Sequence, residues 1–137
     1  MARDRIHHAV KNALINDGWT ITADPFEIEF REVTLYADLA ADRPIAAQRQ
    51  NDLIVVEIKS FLSLSPIHEL QAALGQYQMY QVFLETVEPE RVLYLAVSQQ
   101  IWDDFFVLEA VQALVTKFQL RIMVVNLKNE EIILWIR

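Results

Sequence analysis

A chain of 137 residues without cysteine is sized for one domain around a single core, and it excludes disulfides, thiol nucleophiles, zinc fingers and iron–sulfur clusters. Hydrophobic residues at 53 %, with only 2 Gly and 4 Pro, favour dense regular structure over linkers or disorder. The net charge of −7 excludes a protein that coats nucleic acid by charge alone, although a bound cation can still supply positive potential at one site.

Residues 4–16 predict a helix: Ile6, Val10, Ala13 and Leu14 recur at helical spacing and Asp17-Gly18 ends the run. Thr20-Ile21-Thr22 predicts a short extended segment, broken by Asp24-Pro25. Residues 28–40 carry β-type runs, with Val33 to Tyr36 leading into Ala37-Asp38-Leu39. A polar connection follows, within which Ile45 to Gln48 is a candidate middle strand. Leu53 to Lys59 is the strongest strand, apolar on both faces until Glu57, as a central strand should be.

Ser65-Pro66 predicts an N-cap with proline at the first helical position. The helix should run to about residue 86, with Ile67, Leu70, Leu74 and Tyr77 as its buried stripe. Residues 91–97 predict another apolar strand and residues 101–117 an amphipathic helix, in one piece or two. Strands at 121–126 and 131–136 close the chain around a polar turn at Lys128-Asn129-Glu130. This order predicts a single α/β domain over residues 1–137, a central mixed β-sheet flanked by helices. The opening residues lack an apolar leader and no run is long enough to span a bilayer, so a soluble cytoplasmic protein with no membrane partner is expected.

Glu57 and Lys59 are two apart on a strand, so their side chains leave one face while Ile58 points into apolar packing on the other. A bare Glu-x-Lys is more often an ion pair at a strand end than a site. Here it ends the most apolar strand, a long helix follows at once, and an upstream strand carries Asp38 in an apolar setting. Such a set suits phosphodiester hydrolysis. Asp38 and Glu57 would offer hard oxygen ligands to Mg²⁺ or Mn²⁺, the backbone carbonyl of Ile58 would add another, and Lys59 would orient water or stabilise transition-state charge.

Asp38 followed by Glu57-x-Lys59 resembles the PD-(D/E)xK nuclease superfamily, which implies a restriction-endonuclease-like fold and catalytic roles for all three residues. Ala37 stands where that pattern expects proline. Gln76 and Tyr80 resemble the Gln-x-x-x-Tyr element of RecB-like members, where it supports active site or substrate; otherwise they read as a helix-surface amide and a core tyrosine. More specific are His7-x-x-Val10-Lys11-Asn12-Ala13-Leu14, Asp17-Gly18-Trp19-Thr20-Ile21-Thr22-x-Asp24-Pro25, Tyr36-Ala37-Asp38-Leu39, Val56-Glu57-Ile58-Lys59-Ser60-Phe61 and Ala73-Leu74-Gly75-Gln76-Tyr77. Together these segments resemble the XisH family across essentially the whole chain. That resemblance implies control of fdxN element excision in filamentous cyanobacteria, acting with a XisI-like partner, in a DNA rearrangement whose chemistry belongs to a separate recombinase.

The remaining features are weaker. His7 and His8, adjacent on a helix, cannot chelate one ion from that helix alone, and with His68 they read as exposed or structural; the resemblance keeps His7 as a supporting residue near the site. Ser60 is a candidate support for Lys59, while Ser63 and Ser65 read as loop and cap residues. No glycine-rich phosphate loop is present, which excludes P-loop and Rossmann folds. Trp102, Phe105 and Phe106 read as core, with a partner surface as the minority reading. The apolar run Ile132 to Ile136 needs cover, for which a second copy or a partner chain is one solution. Three functions stay open: a Mg²⁺- or Mn²⁺-dependent DNA endonuclease, a non-catalytic regulatory protein on the same fold, and a toxin-like nuclease restrained by its partner.

Overall fold

The longest apolar stretch before residue 60 forms a strand at the middle of the sheet. The computed structural model describes residues 2–44 and 51–137, so the candidate strand Ile45 to Gln48 lies outside the described residues. The elements are α1 (Ala2–Asn16), β1 (Thr20–Ala23), β2 (Phe26–Phe30), β3 (Val33–Ala37), β4 (Leu39–Pro44), β5 (Asn51–Ile58), α2 (Pro66–Val87), β6 (Val92–Ser98), α3 (Gln99–Ile101), α4 (Glu109–Lys117), β7 (Ile122–Asn126) and β8 (Glu131–Ile136). A π-helical turn, Trp102–Phe106, continues α3, and the break before α4 divides the expected helix in two.

Six strands pair in the order β1-β4-β5-β6-β7-β8, with β5, β6 and β7 parallel and the outer pairings antiparallel. Each parallel step is made by a helical crossover, α2 and then α3 with α4. The β-rich stretch from residue 26 divides: β2 and β3 form a separate hairpin, and only β4 joins the main sheet. No described helix is long and apolar enough to cross a membrane.

Alternation along the strands produces two cores, one on each face of the sheet. Val55, Leu93, Leu95, Val97, Ile122 and Val124 pack under α2, α4 and the hairpin. Ile54, Val56, Tyr94, Ala96, Met123 and Val125 pack under α1.

One local expectation, the buried face of α2, is corrected, and two others gain detail. The buried stripe of α2 is Leu70, Ala73, Tyr77, Tyr80 and Leu84, while Ile67 is 43 % exposed and Leu74 sits on the shoulder. The small Ala73 lets the helix lie close to the sheet, and bulky Leu74 is turned aside. Ser65 stands at the N-cap of α2 with Pro66 at the first helical position, as expected, but its side chain makes no capping hydrogen bond. Instead the Ser63 hydroxyl accepts from Ser65 N–H at 3.2 Å and donates to its carbonyl at 3.3 Å, and Glu69 accepts from Ser63 N–H. The terminal strand is covered in part from within: Ile132 and Trp135 join the α1-side core and Ile136 the other, while Ile133 and Leu134 stay exposed at 42 % and 39 %. Trp135 packs 4.9 Å from Tyr94 and 5.9 Å from Trp19, ring centre to ring centre. Both edge pairings also carry register irregularities, at Ile21/Ala23 and Val124/Val125, which blunt the edges against further pairing.

Candidate metal and phosphodiester site

Asp38 occupies the bend between β3 and β4, at the end of β5 that bears Glu57 and Lys59. The β4–β5 ladder ends at Leu39 and Val56. Beyond it the Asp38 carboxylate takes over, and its Oδ2 accepts from the Ile58 N–H at 2.7 Å. On the other flank Lys59 N–H donates to the Ala96 carbonyl at 3.0 Å, continuing the pairing with β6. The segment Glu57–Lys59 is thus held from both sides. Beyond it Phe61, at φ 52° in the left-handed region, is buried against Phe105 and Phe106, its ring centre 5.4 Å from that of Phe106. Phe105 and Phe106 are core residues that anchor the chain leaving the site, and Trp102 stacks on Phe106.

Glu57 is 7 % exposed and is the one charged residue in the buried set of the described chain. Its Oε2 lies 3.3 Å from Lys59 Nζ, whereas Oε1 is enclosed without a hydrogen-bond partner. Burial, followed by the negative charge of Asp38, pushes the Glu57 carboxyl up to about 7 against the opposing pull of Lys59. The Tyr80 hydroxyl donates to the Tyr36 carbonyl at 2.8 Å, two residues before Asp38. Burial first, then the charges of Glu57 and Asp38, push its pKa up to about 12.

A cavity of about 470 Å³ opens here, lined by Asp38, Glu57, Ile58, Lys59 and Ser60 from the strand ends and by His7 from α1. Two further acids, Asp4 and Glu69, stand on its wall. His7 Nε2 is 2.9 Å from Asp24 Oδ1, and the second Asp24 oxygen receives Lys11 Nζ at 2.8 Å. Burial alone would raise the Asp24 pKa, but the bonds and charges of Lys11 and His7 outweigh it and lower the carboxyl below its usual value.

The predicted residues therefore gather unevenly. Asp38, Glu57, Ile58, Lys59, Ser60 and His7 share one cavity. Tyr80 lies within electrostatic range of the two carboxylates but binds main chain. Gln76, one turn before Tyr80, has an enclosed Oε1 without a partner and is not a lining residue of that cavity. His8 and His68 are exposed. In the sequence Asp24 shows only as a chain breaker before Pro25, and no local pattern links it to His7.

Among the described residues, no cluster of three or more His, Asp and Glu side chains is gathered as a ready-made cation cage. The site offers two carboxylates, one with an orphaned oxygen in a polar cavity. That donor set fits a hard divalent ion completed by backbone carbonyl and water oxygens.

The family model described as "XisH protein" matches residues 1–133. The crystal structure of an XisH family protein from Nostoc punctiforme PCC 73102 is similar at 38 % identity and TM-score 0.89, covering 98 % of this chain and 100 % of that one. That of a fdxN element excision controlling factor protein from Anabaena variabilis is similar at 41 % identity and TM-score 0.87, covering 98 % of this chain and 99 % of that one. No curated protein matches. With residues 1–133 matched by the family model and nearly its whole length matched in both crystal structures, the chain belongs to the XisH family.

Proposed function

We propose that this protein is a controlling factor for the excision of a site-specific DNA element, on a restriction-endonuclease-like fold whose Asp38, Glu57 and Lys59 site takes Mg²⁺ or Mn²⁺ and a DNA phosphodiester. The excision role is supported by similarity to the Anabaena variabilis protein named for it. One observation carries the site: a buried carboxylate beside a second one, with Oε1 unpartnered. Lys59 offsets only part of the cost of burying this carboxylate, and a cation between the two acids would give Oε1 the partner it lacks.

In this reading Asp38, Glu57 and the Ile58 carbonyl hold the ion, which supplies positive charge against the phosphate. Lys59 faces the same cavity and stabilises charge on the phosphoryl oxygens. Tyr80 and Gln76 brace the site from α2, and Ser60 supports Lys59. A net charge of −7 leaves the chain poorly suited to hold DNA unaided, so a XisI-like partner completes the DNA-binding surface.

The test is supercoiled plasmid incubated with Mg²⁺ or Mn²⁺, with and without the partner. Metal-dependent nicking that disappears in Glu57→Gln and Lys59→Ala supports cleavage. Its absence in every combination counts against it.

A second reading is favoured by a specific feature: Lys59 is already paired with Glu57, and Asp38 with the Ile58 amide. A site satisfied this far suits a non-catalytic regulator that binds its partner and steers a recombinase. A stable complex with the partner, without nicking, is the outcome that selects it.

A further inference from the structure

None of the three proposed catalytic side chains is free to take a proton from water. Lys59 is an ion-paired ammonium, Asp38 holds the Ile58 amide, and Glu57 is the buried acid that calls for a cation. His7 enters the same cavity from α1. A carboxylate accepts hydrogen bonds, so the 2.9 Å contact with Asp24 places a ring proton on Nε2, which makes Nδ1 the nitrogen that carries the lone pair whenever the ring is neutral. Lys11 holds the other Asp24 oxygen and fixes the orienting carboxylate. An acid that orients an imidazole beside a reaction cavity is the arrangement of a general base. As a tie between α1 and the turn after β1 the ring is redundant, because Lys11 already makes that link.

We propose that His7, oriented by Asp24, accepts the proton of the water that attacks a phosphodiester at this site; this rests on the cleavage reading above. The water oxygen forms a bond to phosphorus, the opposite ester P–O bond breaks, and the water proton passes to Nδ1. The departing oxygen takes its proton from solvent. The titratable groups around His7 are Asp4, His8 and Lys11 on α1, Asp24 after β1, Asp38 before β4, Glu57 and Lys59 at β5, and Glu69 on α2.

The experiment compares Mn²⁺-supported plasmid nicking by the full chain, with its partner present, for wild type, His7→Ala and Asp24→Asn. Mn²⁺ affinity and melting temperature are followed in parallel. The expected result is a kcat loss of at least about a hundredfold in His7→Ala, with KM for DNA, Mn²⁺ affinity and melting held. The acid limb of the pH profile should vanish in this variant, and added imidazole should restore turnover. Asp24→Asn should lose kcat with an altered acid limb. Wild-type turnover matched by His7→Ala overturns the role of His7 and leaves the cleavage reading standing. A kcat loss without imidazole rescue, its acid limb retained, marks a structural residue and also overturns it. Wild type without turnover under Mn²⁺ and, in a parallel assay, under Mg²⁺ overturns the cleavage reading, and the role of His7 falls with it.

Discussion

The amide of Ile58 donates to Asp38 Oδ2 at 2.7 Å, so a side chain continues the β-ladder where the main chain of β4 turns away. This bond ties the bend that carries Asp38 to β5, which carries Glu57, and sets one carboxylate beside the other. It also gives Asp38 a structural duty separable from its charge. Asp38→Ala should orphan a half-buried amide and cost about 1–3 kcal/mol in urea unfolding. Asp38→Asn keeps a carbonyl acceptor and should recover most of that loss, while the fall in cation affinity persists. Equal destabilisation by both substitutions would contradict this division.

Glu57 predicts an unusual pH dependence. Its folded pKa of about 7 lies above the ordinary 4.5, so the folded state binds its proton more tightly than the unfolded chain. The stability from this group is fully present below pH 4.5, is lost as pH rises towards 7, and is gone above it. At about 1.4 kcal/mol per pKa unit the whole effect is on the order of 3 kcal/mol. Chemical denaturation of Glu57→Gln should lack that slope, leaving the variant more stable than wild type at pH 8 without metal. A wild type that outlasts the variant at pH 8 would show the buried charge to be well compensated.

Tyr80 anchors the hairpin strand β3 to α2 through the Tyr36 carbonyl. Tyr80→Phe removes one hydrogen bond and should cost about 0.5–1.5 kcal/mol. Burial raises the Tyr94 pKa as well, so spectroscopic titration of wild type should show more than one tyrosine still protonated at pH values where exposed phenols ionise, and Tyr80→Phe should remove the latest of them.

The register of α2 can be tested by volume. Ala73 lies beneath the helix against the sheet, so Ala73→Leu should overpack the core and cost about 1–3 kcal/mol. Ile67→Ser on the exposed side should change stability by less than about 0.5 kcal/mol. The reverse order in thermal melts would restore the stripe expected from spacing.

That stripe shows where sequence runs out. Helical periodicity finds an apolar face but cannot tell whether a large or a small residue meets the sheet; here the sheet selects Ala73 over Leu74. The central strand was legible because β5 is buried on both faces, and the same-face relation of Glu57 and Lys59 follows from its two-residue period. The approach of Asp38 required the resemblance, because nothing local states which strand lies beside β5. Ser65-Pro66 marks the start of α2 correctly, but not the bonding there: the Ser63 hydroxyl accepts from Ser65 N–H and Glu69, from inside the helix, accepts from Ser63 N–H. Asp24 was legible only as a turn, since its bonds to His7 and Lys11 come from a helix that precedes it in the chain.

Calorimetric titration of Mn²⁺ into wild type and Glu57→Gln at neutral pH tests most directly whether the two carboxylates form a cation site. One binding event per chain in wild type, accompanied by proton release and absent from Glu57→Gln, is the predicted result. Indistinguishable heats for the two proteins would contradict it and leave Glu57 as a buried ion-pair partner of Lys59.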